Sequence, residues 1–435
     1  MEVREANAAY LTQTGSSCPP GYKQTEVGVV PEDWDAPELG GILKSMQLGG
    51  NYKNGERETN WPLIKMGNLG RGNIKLYKLE FIDFSQPPAI RDRLKKYDVL
   101  FNTRNTLDLV GKIAIWREEL PEAYFNSNIM RMEFDESRVS SNRFMNYILN
   151  TSQSLNKLRS IAIGTTSVAA IYTRDLVRVR VPLPTKAEQE AIAGALSDTD
   201  GLIESLEQLI AKKRHLKQGA MQGLLTGKKR LPGFGGDWNR CQLGKVIYKC
   251  SSGATPYRGR PDYYKGTVKW ITSGELNYGV IFDTIEHIST EAVEKTNLKV
   301  HPTGTFLLAI TGLEAAGTRG ACGIVGSPAA TNQSCMAIYP TSDLGNDFLF
   351  HYYVFRGNEL ALNYCQGTKQ QSYTAKLVKL LPIDLPPTTD EQTAIAAILS
   401  DMDTEIAALE EKLAKARRIK QGMMQELLTG RIRLV

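Results

Sequence analysis

The run Gly67-Asn68-Leu69-Gly70-Arg71-Gly72 places glycines where a phosphate-cradling loop would want bare backbone N–H groups. Such a loop needs a strand before it and a helix after it, and the flanking residues promise neither, so the run reads as a turn. Other constellations that could do chemistry are missing. There is no GxxxxGK[ST] for nucleotide phosphates, no HExxH for a catalytic metal and no GxSxG for an acyl-transferring serine. The three Pro-Pro pairs, beginning at Pro19, Pro87 and Pro386, lack the preceding Asn or Asp and the following aromatic residue that amino-group methyl transfer requires. Glu410-Glu411-Lys412 has the ExK order of a nuclease but falls among helical charges that read as solvated surface. Six cysteines (Cys18, Cys241, Cys250, Cys322, Cys335, Cys365) form no CxxC pair, and four histidines (His215, His287, His301, His351) show no ligand spacing. Neither a metal nor another cofactor is expected, and the chain is not expected to be an enzyme by itself.

Polar and basic side chains that could bind a partner are what remain. A net charge of +6 over 435 residues permits nucleic-acid binding without demanding it. With 42% hydrophobic and 23% charged residues the composition is ordinary for a globular chain of two to four domains. No apolar run approaches the roughly 18–20 residues of a membrane span. The start, Met1-Glu2-Val3-Arg4-Glu5, has neither the basic nor the apolar region of a secretory signal, so a cytoplasmic location is expected.

The elements that would position such side chains come from a repeat. Residues 184–231 and 387–434 align without a gap at an offset of 203 and are identical at 28 of 48 positions. Each copy opens on Pro-Thr-x-x-Glu-Gln, a capping box at Thr185/Glu188 and Thr388/Glu391, and closes on Gly227 or Gly430, suited to a left-handed helix end. Between these signals apolar residues alternate at steps of four and three, the a/d spacing of a coiled coil. The first seam runs through Ile192, Leu196, Ile203, Leu206, Ile210 and Leu216; the second through Ile395, Leu399, Met402, Ile406, Leu409, Leu413 and Ile419. Ser197-Asp198-x-Asp200 and Gly201 could interrupt the first helix, but the seam continues through them and predicts one rod. About 40 residues give roughly 60 Å of helix. Two matching seams in one chain can bury each other, so the rods are expected to pair antiparallel.

The segments before each rod agree only at scattered points, but in register. Asp33-Trp34 precedes Leu39-Gly40 as Asp237-Trp238 precedes Leu243-Gly244, and Gly164-Thr165 and Gly367-Thr368 each lie 20 residues before the proline that opens a rod. Short β-runs at 113–116, 177–181, 268–271 and 306–310, with helices at 141–150 and 346–356, predict an α+β domain used twice. The expected organisation is an N-terminal extension (1–21), a first domain (22–184), a first helical region (185–230), a second domain (231–387) and a second helical region (388–435). The fold class is therefore α+β, with two pseudo-symmetric β-rich domains separated by two long helices forming an antiparallel coiled coil.

With these marks in place, the chain resembles the DNA-specificity (S) subunit of type I restriction–modification enzymes over essentially its full length. The duplicated EQxAIAxxLSDxD and KQGxMQxLLTG segments carry the resemblance, together with the DW…LG openings, the Gly-Thr loops and Phe101-Asn102-Thr103-Arg104-Asn105. The second domain has Leu308-Ala309-Ile310-Thr311 at the last of these and departs from it. The resemblance implies a non-catalytic subunit whose two target-recognition domains each read half of an asymmetric site in double-stranded DNA. It also implies partners: two methyltransferase (M) subunits and two restriction (R) subunits, with the rods as a ruler. Base edges are read by Arg, Lys, Asn, Gln and hydroxyl side chains. The candidate DNA-binding residues are Thr103, Arg104, Asn105, Lys112, Thr165, Thr166 and Ser167 in the first domain, and Tyr257, Arg258, Arg260, Thr368, Lys369, Gln370 and Gln371 in the second. A scaffold whose β-rich domains bind proteins or glycans is the rival reading. A transcription regulator is disfavoured because no helix-turn-helix pattern occurs.

Overall fold

The computed structural model describes residues Val3–Glu5, 18–165, 167–315, 317–367 and 371–434. The chain divides into two compact units, one of residues 1–206 and 412–435, the other of residues 207–411. Both boundaries fall inside long helices, Lys186–Leu224 and Thr389–Leu427, so each unit holds the start of one helix and the end of the other. Both helices are unbroken, through Ser197-Asp198 and Gly201 as well.

The first unit is built on an antiparallel sheet in the order Ile113–Ile115, Val99–Asn102, Ile129–Phe134, Leu43–Leu48. A second four-stranded sheet contains Pro62–Ile64 and Glu80–Ile82, and the helices Asn142–Leu149 and Ser152–Ser160 pack beside them. The second unit repeats the order with Cys322–Val325, Phe306–Ala309, Cys335–Pro340 and Ile247–Ser252, and adds Gly279–Ile281 at the edge. Its smaller sheet is His287–Ile288, Val268–Ile271, Ala329–Thr331. The helix predicted over 346–356 runs from Asn346 to Tyr364, because the buried face continues through Leu360 and Ala361. Residues 177–181 form no strand. Val179 and Val181 are buried, but only isolated bridges Glu38–Arg180 and Asp35–Leu183 form. Pro37 and Pro182 lack the N–H groups a continuous ladder would need.

The repeated segment acts alike in both units. Thr185 and Thr388 cap their helices by accepting from the N–H of Glu188 (3.4 Å) and Glu391 (3.3 Å). The carboxylates do not return the bond, so only half of each expected capping box exists. Glu188, buried to 1% exposure, accepts from Trp34 Nε1 (2.9 Å) and from Arg433 Nε and Nη2 (2.7 and 2.8 Å). Glu391, equally buried, accepts two bonds of 2.7 Å from Arg230. The adjacent Gln189 and Gln392 are also buried, each bonding the loop that leads into its domain's helix, through Ser140 and Arg138 or through Gly345 and Asp343. The Asp-Trp pair is explained by the other end of the rods. Gly430 (φ 70°) packs against Trp34 and Gly227 (φ 68°) against Trp238, so closely that a Cβ would stand 3.3 and 3.2 Å from the indoles.

Each unit contains an antiparallel stretch of the two helices. In the first, Lys420 pairs with Asp200 (2.5 Å) and Thr199 donates to Met423, while Ile192 and Leu196 share a core with Leu427 and Leu428. In the second, Lys217 pairs with Asp403, and Lys213 with Glu405 (2.6 Å), while Leu224 and Leu225 share a core with Ile395 and Leu399. Ile210 and Ile406 are buried and Ile203, Leu206, Met402, Leu409 and Leu413 half-buried, as the seam predicts. The seam is corrected at Leu216 and Ile419, which are 51% and 49% exposed. The buried stripe shifts by one residue there, to Lys217 and Lys420, because an α-helix turns every 3.6 residues and drifts from a 3.5-residue repeat. Both lysines hold ion pairs that fix register more than stability.

Candidate nucleic-acid interface

Strand Val99–Asn102 of the first unit ends in fully buried Asn102, whose side chain organises the loop that follows. Its Oδ1 accepts from Arg104 N (3.2 Å) and its Nδ2 donates to Leu109 O (3.4 Å). Backbone bonds from Asn102 N to Lys112 O (2.8 Å) and Gly111 N to Asn102 O (3.0 Å) close the loop. Arg104–Asn105 then pairs with Ala169–Ala170, which pairs with Ile163–Gly164. This ribbon brings together two stretches more than 50 residues apart in sequence, Arg104–Asn105 and the hairpin that carries Thr165 and Ser167. A tight turn, Thr165 N to Val168 O (2.8 Å), makes the tip. Gly164 has φ 143°, and a Cβ would lie 2.2 Å from Val168 O, so only glycine fits.

The candidates are used unequally. Arg104 is exposed, and among the described residues no carboxylate pairs with it. Thr165 and Ser167 are exposed with their hydroxyls 3.1 Å apart. Asn105 is half-buried and accepts from Thr106 N (2.8 Å). Thr103 is buried and donates to Asn128 O (3.0 Å), so it anchors the loop. Thr166 lies outside the described residues. Lys112 is half-buried beside the loop, its pKa lowered by burial and then by Arg71 and Lys75. Sequence reasoning passed over Arg71 and Lys75, and with them Arg159; the signal available was an arginine inside the glycine run that reads as a turn.

The second unit repeats the ribbon with other side chains. Thr311 pairs with Ser372, and Ser372 with Gln366 through reciprocal bonds of 3.0 and 2.9 Å. Thr311 thus stands where the first unit has the Arg104–Asn105 strand. Thr368, Lys369 and Gln370 lie outside the described residues. Gln371 donates its N–H to Glu314 (3.0 Å), and its buried Oε1 has no partner. Tyr257, Arg258 and Arg260 form a separate group against the smaller sheet. Tyr257 is exposed, but Arg258 makes a two-bond pair with Glu286 (2.5 and 2.8 Å) over the ring of Tyr264, and Arg260 binds Asp262 (2.5 Å). These carboxylates raise both guanidinium pKa values above their ordinary level. No hydrogen bond or ion pair among the described residues joins this group to Gln371.

The hairpin of Ile163–Gly164 and Ala169–Ala170, with the Thr165 and Ser167 hydroxyls beyond it and Arg104 and Asn105 on the strand beside it, carries donors and acceptors of the kind that read base edges in a DNA major groove. Among the described residues no group of three or more His, Cys, Asp or Glu could hold a metal ion, and burial pushes the Cys322 and Cys335 thiols well above reactive pKa values. Among the described residues no helix is long and apolar enough to cross a membrane.

Comparison with known proteins bears on the family and the fold. The signature described as "Type I restriction modification DNA specificity domain" matches twice, over residues 31–212 and 235–418. The provisionally assigned type I restriction enzyme MjaX specificity subunit of Methanocaldococcus jannaschii is 25% identical over 426 residues, covering 95% of this chain and 97% of the relative. The MjaVIII specificity subunit of the same organism is 23% identical, covering 93% and 94%. The crystal structure of a type I restriction-modification S subunit from M. genitalium shares the fold, with a TM-score of 0.61 at 14% identity, over 91% of this chain and 96% of that one.

Proposed function

The chain belongs to the type I restriction–modification DNA specificity family, and on that footing we propose that it reads a bipartite, asymmetric DNA site, one half-site per domain. Specificity subunits of this family are non-catalytic DNA-recognition proteins. The observation that carries the proposal is the duplicated ribbon. The order of pairing and the helix that follows are the same, while the side chains differ: Arg104, Asn105, Thr165 and Ser167 on one, Thr311, Gln366 and Gln371 on the other. A common scaffold with different donors and acceptors is what two unlike half-sites require. Recruited to the same chain are two methyltransferase subunits, which supply adenine methylation, and two restriction subunits, with the paired helices setting the spacing of the half-sites.

The decisive experiment exchanges residues 232–386 for the matching domain of another S subunit and sequences the methylated sites in cells that also carry the methyltransferase. One half of the site is expected to change while the other stays. Alteration of both halves would show that the domains do not read independently.

A further inference from the structure

The turn at 67–75 has no part in the reading above, yet it is firmly built. Buried Asn68 accepts from Lys65 N (2.9 Å) and donates to Lys75 O (3.0 Å) and Tyr77 O (3.1 Å). Gly70 N bonds Asn73 O (2.9 Å) and Leu69 bridges to Ile74. Gly72 N donates to Ile113 O (2.7 Å) and its carbonyl accepts from Asn146 Nδ2 (3.1 Å), pinning the turn between a strand and a helix one residue from Lys112. Helix Ser152–Ser160 arrives at the same place: a Cβ on Gly111 would lie 3.5 Å from that of Leu158, the neighbour of Arg159.

Four cations are thereby gathered from three segments. Arg71 donates to a carbonyl, that of Asp108 (3.2 Å). Burial lowers its pKa, and Arg159 lowers it further, as Arg71 and Lys75 do for Lys112. Among the described residues no carboxylate forms an ion pair with Arg71, Lys75, Lys112 or Arg159, so the fold holds like charges together with nothing of its own to neutralise them. The second unit gives the contrast. Glu275 accepts from Thr272 N (2.8 Å) as Asn68 accepts from Lys65 N, and Tyr278 reaches the carbonyl of Arg319 (3.3 Å) as Arg71 reaches that of Asp108. The same turn therefore carries a phenol where the first unit carries a guanidinium.

We propose that Arg71, Lys75, Lys112 and Arg159 form a clamp on the phosphate backbone of DNA, outside the base-reading ribbon and peculiar to the first recognition domain. The clamp rests on the DNA-reading function proposed above and deepens it. Asn102 N bonds Lys112 O and Asn102 Oδ1 holds Arg104 N, so clamp and ribbon flank one loop. The first sets register on the duplex and the second reads it.

The test measures binding of a duplex carrying the methylated site to the full chain in complex with its methyltransferase, across a series of KCl concentrations. Each phosphate contact contributes about 0.9 to the slope of log K against log salt. The variant R71Q/K75Q/K112Q/R159Q is expected to lower that slope by about two to four. It should weaken specific and scrambled duplexes alike and leave the methylated sequence unchanged. K53Q, which removes a lysine already paired with Asp83 (3.4 Å), should leave the slope as it was. K75Q/R159Q, confined to two exposed side chains, should show about half the drop and serves if the fourfold variant does not fold. A wild-type slope in K75Q/R159Q overturns the clamp while leaving DNA reading intact. Absence of binding by the wild-type complex overturns both.

Discussion

Arg433 joins two carboxylates of the first unit, and replacing it with methionine tests how much that junction holds. Its guanidinium makes four bonds: to Glu188 at 2.7 and 2.8 Å and to Asp33 at 3.0 and 2.7 Å. Asp33 is half-exposed and returns to water at small cost, but Glu188 is 1% exposed and would keep Trp34 Nε1 as its remaining side-chain donor. Stranding a buried charge in this way costs about 3–5 kcal/mol. A unit of this size shifts its midpoint by about 2–4 °C per kcal/mol, which puts the loss at roughly 6–20 °C. The counterpart Arg230→Met should act on the second unit and cost at least as much, since Glu391 is equally buried and would be left with no side-chain donor. Calorimetry of the two variants is the assay. R433M should lower the transition of the first unit, and E188Q/R433M should recover about 1–3 kcal/mol of it, the coupling between the partners. A shift below about 2 °C in R433M would refute the claim that Glu188 depends on it.

Three further outcomes are expected. All four histidines lie in the second unit, and burial lowers His301 and His351 to about 4. The unfolded chain takes up protons below about pH 6.5 whereas these two do so only near 4, so stability is full above about 6.5 and drains as pH falls, by about 2 kcal/mol per histidine between pH 7 and 5. Calorimetry should show only the second unit's transition falling over that interval; equal sensitivity of both would sink the assignment. Gly164→Ala forces a Cβ to within 2.2 Å of Val168 O, an expected strain of about 1–3 kcal/mol confined to the ribbon. Affinity for the first half-site should fall with little change in melting, and undiminished affinity would remove the ribbon from DNA contact. Four residues inserted before Leu206 lengthen that helix by about 6 Å, and methylated sites are expected to carry a spacer longer by one or two base pairs if helix length sets the spacing; an unchanged spacer in an assembled variant would dismiss the ruler.

The helices and the duplication were legible because their signals are local: capping threonines, a 3–4 rhythm and a terminal glycine all lie within one segment. What escaped depends on groups distant in sequence. Glu188 has the spacing of a capping box, and nothing near it reveals that Trp34 and Arg433 will claim its carboxylate. The ribbon is made of two-residue strands, too short for alternation to show, and its pairing of 104–105 with 169–170 is a tertiary fact. At 177–181 the alternation was real and the valines are inward, but a proline in each partner stopped the ladder. Arg258 and Arg260 looked free in sequence because Glu286 and the fold around Asp262 could not be placed from spacing. The glycine run was correctly a turn, and the error lay in stopping there, since what a turn presents matters as much as what it reverses.

The repeat also has a genetic reading. Its two copies are stretches of one gene that lie 203 codons apart and encode the same residue at 28 of 48 positions, so a deletion joining equivalent points of the two would remove a whole module in frame. The shortened product would keep one recognition domain, one complete helix with Glu188 at its start, and an arginine equivalent to Arg433 just past its end. Two such products paired antiparallel would form one kind of junction twice, the arginine of each meeting the Glu188 of the other. A repeated stretch of sequence thus coincides with a self-complementary joint, and exchange of whole domains between related genes need not disturb the frame that receives them.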